Sequence, residues 1–147
     1  MIPHIHVHAV LQESVSEVCL DLVTRPTGRV VRERIERALA TTSLDAAVTR
    51  IDFTGVRCID YSCADEIVAK LLDDGRVVLV LSGVSDGHRE AIEPVLASRG
   101  LAALLERRDG ELEALGAPEA AAALVEVLVA RRVATRTPGG TLALTLA

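Results

Sequence analysis

The stretch that most constrains the fold is VVLVL at residues 77–81, five apolar residues in a row between turn-forming segments. A strand with one exposed face alternates apolar and polar residues, whereas a strand buried on both faces is apolar throughout. Such a strand needs a packed layer on each side, and helices on both faces of a parallel sheet provide it. The run therefore predicts the central strand of a mainly parallel sheet.

Strand and helix patterns alternate on either side of this run. The predicted strands cover residues 4–10, 18–23 and 47–53, and the predicted helices cover residues 28–40, 62–72 and 86–99. Alternation of this kind is typical of crossover connections between parallel strands. A chain of 147 residues is long enough for one domain. We therefore predict a single α/β domain with a mixed, mainly parallel sheet and helices packed against it.

The pattern changes after Gly100. Asp109 and Gly110 lie between two short alternating segments, which predicts a β-hairpin. Pro118 then opens an Ala-rich stretch, and proline is tolerated in the first turn of a helix, so a helix to about residue 133 is expected.

These features divide the chain into a domain and a tail. The predicted domain spans residues 1–135, with an α/β core at 18–100 and the hairpin and helix at 101–135. The tail, residues 136–147, alternates leucine with small residues after a Gly-Gly pair. It is expected to be flexible or to add an edge strand.

Composition excludes several classes of function. The formal net charge is −5, whereas nucleic-acid binding needs a basic face. Phe53 and Tyr61 are the only aromatic residues, so base stacking has no platform. The apolar runs are shorter than the roughly 20 residues of a membrane helix, and the three cysteines lack disulfide or zinc spacing. We expect a cytoplasmic protein that binds neither nucleic acid nor membranes.

The turn at residues 60–66 carries most of the reactive side chains. Ser62 followed by Asp65 fits a helix N-cap with an acidic residue at the third helical position. Asp65 and Glu66 also suit the positive end of the helix dipole. A phosphate on Ser62 would meet the charge of Asp60 and these two residues, so modification there is expected to break an interface rather than create one.

Other candidate chemistry is weaker. His4, His6 and His8 alternate as on one strand, and we interpret them as a polar strand face rather than a metal site. His88 is expected at the surface, and Cys63 is not expected to be a reactive thiol because its neighbours are acidic.

Several segments together resemble the STAS domain, the fold of bacterial anti-anti-sigma factors. The similarity is closer to a STAS-like family of unknown function that often accompanies histidine-kinase-type ATPases. The matching motifs are Arg25 to Gly28, Asp52 to Val56 and Ile59 to Glu66, within a similar region of about residues 18–100.

This resemblance implies a protein-binding surface at the turn and the helix that follows it. In anti-anti-sigma factors, a partner kinase phosphorylates the serine directly after the turn aspartate, and the complex then dissociates. Here Tyr61 follows Asp60 and Ser62 comes next, and Cys63-Ala64 replaces the usual Gly-Leu. Ser62 is therefore the candidate phosphosite.

We predict a non-enzymatic regulatory module that resembles an anti-sigma antagonist and needs no metal or cofactor. Its partner would be a histidine-kinase-type ATPase or an anti-sigma factor, bound through the turn and the helix to residue 72. The predicted contact residues are Asp60, Tyr61, Ser62, Cys63, Asp65 and Glu66. Two alternatives stay open: a homo-oligomeric scaffold that uses the apolar tail, and a small acid–base enzyme that uses Asp60 and Asp65.

Overall fold

The protein is described by a computed structural model that covers residues 3–40, 48–73, 75 and 77–145. The strands are β1 (His4–His6), β2 (Asp21–Leu22), β3 (Val48–Asp52), β4 (Cys58–Ile59), β5 (Val78–Ser82), β6 (Ala102–Glu106), β7 (Glu111–Gly116), β8 (Ala134–Arg136) and β9 (Leu142–Leu144). The helices are α1 (Val7–Ser14), α2 (Arg25–Ala40), α3 (Tyr61–Ala64), α4 (Lys70–Leu72), α5 (Asp86–Ser98) and α6 (Pro118–Ala130), and a π-helical segment (Asp65–Ala69) joins α3 to α4.

Seven strands form one sheet in the order β1-β3-β5-β6-β7-β9-β8. The strands β1, β3, β5 and β6 are parallel to one another, and antiparallel pairing begins between β6 and β7. The strands β2 and β4 form a separate parallel pair. The predicted mixed, mainly parallel α/β architecture is confirmed, with the VVLVL segment supplying the inner strand β5.

Successive residues of β5 are buried in different cores. Leu79 and Leu81 lie in the larger core, together with apolar residues of α1, α2, the 61–72 helical segment and α5. Val80 points to the opposite face and packs with Leu104 and with Leu128 of α6. Because neighbouring side chains of a strand point to opposite faces, a continuous apolar run is what this position requires.

The N-terminal strand is much shorter than predicted. Only His4–His6 is extended, and Val7 and Leu11 are both fully buried in the helix α1. Leu11 is four positions after Val7, which places the two side chains on one helical face. The predicted strand at 18–23 likewise reduces to Asp21–Leu22. Residue 47, at the start of the third predicted strand, lies outside the described residues.

The predicted hairpin is confirmed, because β6 and β7 pair across Asp109 and Gly110 in antiparallel register. The predicted helix at Pro118 is also present and ends at Ala130. The tail does not add an edge strand, since β9 lies between β7 and β8 and pairs with both. The edge is β8, so the boundary drawn at residue 135 falls inside a strand. Residues 146 and 147 of the tail lie outside the described part of the chain.

None of the helices among the described residues combines the length and the apolar character that a membrane span requires.

Candidate functional site

Asp60 organises the turn that precedes α3. Its Oδ1 accepts hydrogen bonds from the Cys63 backbone N–H and the Ser62 hydroxyl, both at 2.8 Å, and its Oδ2 accepts from the Thr24 N–H at 2.9 Å. Asp60 is therefore the N-cap of α3, and the prediction that Ser62 fills this position is wrong. Burial raises the pKa of Asp60, but the hydrogen bonds from Cys63 and Thr24 outweigh it, and the pKa is lowered overall.

Thr24 has an uncommon backbone conformation. Its φ is +70°, in the left-handed region that β-branched residues rarely adopt. Three contacts hold it there: its N–H donates to Asp60, and its carbonyl accepts from the Cys63 thiol at 3.1 Å and from the Gly28 N–H at 3.2 Å. Backbone strain of this kind persists only where the surroundings impose it, and it concentrates at functional sites.

Tyr61 and Ser62 are the accessible part of the turn. The Tyr61 side chain is 55% exposed, and its hydroxyl lies 3.5 Å from the Ser98 Oγ on α5. Ser62 is half-buried and its hydroxyl donates to Asp60. Of the predicted contact residues, Tyr61, Ser62 and the partly exposed Asp60 can meet a partner directly.

Cys63 is buried against α2. Its thiol donates to the Thr24 carbonyl, and burial together with the nearby charge of Asp60 raises its pKa to about 12. A thiol with so high a pKa is almost entirely protonated at neutral pH and is a poor nucleophile. This geometry agrees with the prediction that Cys63 is not a reactive cysteine.

Asp65 and Glu66 are buried, although the sequence suggested an exposed acidic face. Asp65 forms ion pairs with Arg25 at 2.8 Å and with Arg99 at 2.6 Å. Burial raises the pKa of Asp65, but the hydrogen bonds from Arg25 and Arg99 lower it by more. Because these carboxylates point into the protein, they cannot serve as surface contacts in this conformation.

Glu66 is the more enclosed of the two and is surrounded by cations. Its carboxylate pairs with Lys70 at 2.8 Å, with Arg25 at 3.1 Å and with the Arg32 Nε at 3.4 Å. Burial would raise the pKa of Glu66, but hydrogen bonds from Lys70 and Arg25 lower it to about 2. The segment that carries it is π-helical, a distortion that is frequent at functional sites.

A separate cleft of about 790 Å³ lies at the carboxyl ends of the parallel strands. Its lining includes Asp52 at the end of β3, Ser82 at the end of β5 and Glu106 at the end of β6. Open α/β sheets commonly bind ligands at this edge, and the volume is in the range of small-molecule sites. The lining contains neither Asp60 nor Asp65, so the cleft does not assemble the carboxylate pair of the enzyme alternative.

His88 lines this cleft but is only 3% exposed, so the prediction of a surface position is wrong. Its Nδ1 accepts from the Ser85 N–H at 3.0 Å, and its Nε2 lies 2.9 Å from the Val56 carbonyl, to which it donates. The Ser85 hydroxyl accepts in turn from the His88 N–H, which completes a capping box for α5. Burial lowers the pKa of His88, so the neutral ring is favoured.

Two histidines of the N-terminal segment meet a carboxylate. The His4 Nε2 lies 3.3 Å from the Asp52 Oδ2, and the His6 Nδ1 lies 3.6 Å from the same oxygen. Among the described residues, these three form a group with the donor atoms and proximity needed to hold a metal ion. His8 is on α1 rather than on the strand, so the predicted row of three histidines along one strand is wrong.

Sequence reasoning missed the cationic partners of the acidic turn. Arg25 and Arg32 come from α2 and Arg99 follows α5, between 34 and 41 positions from the carboxylates they pair with. In an amphipathic helix, charged residues between the apolar positions are expected to face solvent, so the pattern does not indicate these pairs. The nearest usable signal in the sequence was Gly28, because a glycine allows another element to approach closely. In the structure, a Cβ at this position would lie 3.0 Å from the Glu66 Cβ.

Comparison of the chain with protein-family models, with curated proteins and with solved structures found no match. The resemblance to STAS-like proteins therefore stays a prediction, and the functional argument rests on the geometry described above.

Proposed function

We propose that the protein is a non-enzymatic, cytoplasmic regulatory module that binds a partner protein through the turn at Tyr61 and Ser62. The observation that carries the proposal is the exposed Tyr61 side chain, displayed on a turn that three hydrogen bonds to Asp60 hold in place. A large aromatic side chain on a preorganised turn is a common anchor of protein interfaces.

An exposed apolar segment adjoins this turn. Val18 is 86% exposed, and three further apolar residues between positions 15 and 23 are about half as exposed. The Arg57 N–H donates to the Leu20 carbonyl, and the Asp60 N–H donates to the Leu22 carbonyl, which ties the segment to the turn. The proposed interaction surface consists of Val15, Val18, Leu20, Val23, Tyr61 and Ser62.

Ser62 would act as the switch of this surface. Its hydroxyl donates to Asp60, so a phosphate on the same oxygen would remove the donor and place two negative groups side by side. The same carboxylate holds the strained Thr24, so repulsion at Asp60 would also release the start of α2. Phosphorylation would thereby weaken partner binding.

The class of partner follows from the resemblance to STAS-like proteins. We propose a histidine-kinase-type ATPase or an anti-sigma factor, with the ATPase as the source of the Ser62 phosphate. The net charge of −5 supports a protein partner over nucleic acid. The free thiols of Cys19, Cys58 and Cys63 support a reducing compartment.

Direct binding measurements with purified proteins test this proposal. The full chain would be titrated with a histidine-kinase-type ATPase or anti-sigma factor encoded beside its gene. We expect Tyr61→Ala and Val18→Asp each to weaken binding by at least about tenfold, as loss of an interface anchor does. Val127→Asp is the matched control, because Val127 is 44% exposed but lies on α6.

Two variants of Ser62 examine the switch. Ser62→Asp should weaken binding while cooperative thermal unfolding is retained, whereas Ser62→Ala should have a small effect because it adds no charge. Binding that Tyr61→Ala and Val18→Asp leave intact would contradict the proposed surface. Equal effects of Ser62→Asp and Ser62→Ala would contradict the switch alone.

The homo-oligomeric alternative cannot be tested by deleting the apolar tail. Removal of residues 138–147 would delete β9 from inside the sheet, so a change in apparent mass would follow from unfolding as well as from dissociation. Light scattering of the intact chain over a range of concentrations separates the two. A stable oligomer that Val18→Asp dissociates would favour the scaffold.

A further inference from the structure

The cluster of His4, His6 and Asp52 follows from strand register. The strands β1 and β3 are parallel, with His4 opposite Arg50 and His6 opposite Asp52. Residues two apart on a strand share a face, so His4 and His6 point to the same side of the sheet as Asp52. Both histidine rings therefore converge on one carboxylate, with their centroids 4.2 Å apart.

The distances within the cluster match those between ligands of a small metal ion. Zinc binds histidine nitrogen and carboxylate oxygen at about 2.0–2.2 Å in tetrahedral geometry, which separates neighbouring ligand atoms by about 3.4 Å. The two histidine nitrogens lie 3.3 and 3.6 Å from the Asp52 Oδ2. The donor atoms of all three side chains lie within 4.8 Å of one another.

The carboxylate is held in position by a neighbouring backbone group. The Asp52 Oδ1 accepts a hydrogen bond from the Thr54 N–H at 2.9 Å, which directs Oδ2 toward the histidines. Contacts of this kind orient metal ligands and strengthen the sites that have them. The Asp52 side chain is 16% exposed, whereas His4 and His6 remain accessible to an ion from solution.

A cation on this face, Arg50, is already paired with a carboxylate. Arg50 lies next to Asp52 on the same face, but its guanidinium forms two hydrogen bonds of 3.0 Å with Glu106 on β6. The carboxylate of Glu106 therefore largely neutralises the positive charge of Arg50, and this charge opposes a metal ion at the histidines only weakly. The helix that packs on this face, α6, contacts β6, β7 and β8, which lie at the far side of the sheet from β1.

We propose that His4, His6 and Asp52 form a binding site for a divalent transition-metal ion of the zinc type, with water completing the coordination. Two imidazoles and one carboxylate suit zinc, copper or nickel rather than calcium or magnesium. The ion would join the edge strand β1 to β3. The site uses different residues from the proposed interaction surface, and its existence does not depend on that proposal.

Calorimetric titration of the metal-free full chain with Zn²⁺ tests the site. We expect one equivalent to bind, and Co²⁺ to give the intense visible absorption of a tetrahedral complex. His6→Gln and Asp52→Asn should each weaken Zn²⁺ binding by at least about tenfold, because each removes a ligand. His8→Gln is the matched control, since it removes a histidine of the same segment that lies outside the cluster.

The Asp52→Asn result distinguishes a three-ligand site from Zn²⁺ binding by two surface histidines alone. Two exposed histidines alone would bind Zn²⁺ weakly and would be indifferent to Asp52. Unchanged affinity in Asp52→Asn, or no stoichiometric binding by the natural sequence, would overturn the proposal. His6→Gln alters an exposed side chain and should leave the fold intact. A loss of Zn²⁺ binding in this variant can therefore be attributed to the missing ligand rather than to unfolding.

Discussion

Glu66 is a fully buried carboxylate that Lys70, Arg25 and Arg32 surround. A buried charge is tolerated only when partners replace the water it has lost. The three cations come from two elements, α2 and α4, so the carboxylate also fixes α2 against the helical segment that follows the turn. These ion pairs therefore contribute to the packing of the two elements.

We expect Glu66→Gln to lower the free energy of unfolding by about 2 kcal/mol. Removing one partner from a fully buried ion pair costs about 3–5 kcal/mol, and here the cations are partly exposed and can be hydrated. Urea denaturation measures the change. Glu36→Gln is the matched control, because Glu36 also pairs with Arg32 but is 49% exposed, and its loss should cost at most about 0.5 kcal/mol. Equal effects of the two substitutions would show that the burial of Glu66 has no energetic consequence.

At the scale of elements, the contact between α2 and α3 depends on a glycine. A Cβ at Gly28 would lie 3.0 Å from the Glu66 Cβ and 3.1 Å from the Cys63 Cα. These distances are tighter than nine in ten real contacts of a Cβ atom, and one of the two neighbouring atoms belongs to the backbone. Gly28 therefore allows the close approach that brings Arg25 and Arg32 to the buried carboxylates.

Gly28→Ala should destabilise the protein by about 1–3 kcal/mol, the usual cost of overpacking, even though alanine favours a helix by about 1 kcal/mol over glycine. Gly87→Ala, near the start of α5, should be neutral or stabilising, since its Cβ would meet only the Ser85 Oγ at 3.8 Å. Thermal and urea unfolding of both variants test the contrast. A stabilised Gly28→Ala variant would show that the two helices can separate at little cost.

The sequence predicted the elements whose signals are local. The apolar run of β5, the Asp109-Gly110 hairpin and the proline that opens α6 each depend on neighbouring residues, and each is present. The prediction of a strand over residues 4–10 was wrong because the alternating histidines resemble a strand pattern. The helical spacing of Val7 and Leu11 stabilises a helix only when both side chains can be buried in the core.

The candidate site was predictable in position but not in exposure. The turn at 60–66 was located from its sequence, and Tyr61 is exposed as a contact surface requires. The burial of Asp65 and Glu66 is set by arginines more than 30 residues away, which no local pattern reveals. The burial of His88 was also missed. Its side chain closes a capping box with Ser85, a position that is normally Glu or Gln, so the sequence did not indicate this role.

At the scale of the whole molecule, stability should fall on acidification in two stages. The pKa of His88 is below its ordinary 6.5 in the folded state, so the unfolded chain takes up the proton first and stability declines as the pH falls below about 6.5. The pKa of Glu66 is about 2 instead of 4.5, so its contribution is lost between about pH 4.5 and pH 2.

Urea unfolding at several values from pH 7.5 to pH 2.5 measures both stages. Glu66→Gln should reduce the dependence below pH 4.5, where the lowered pKa values of Asp60 and Asp65 still contribute, and leave the decline near pH 6.5 unchanged. A rise in the free energy of unfolding on acidification would contradict both assignments.

The place of β9 in the sheet has a consequence for the order of folding. It is the last described strand along the chain, yet it lies between β7 and β8 rather than at the rim. β7 must keep one edge unpaired until the β8–β9 hairpin docks as a unit, because β8 can join the sheet only through β9. Unpaired edges recruit other strands, so a nascent chain is most exposed to aggregation in the interval before this hairpin arrives.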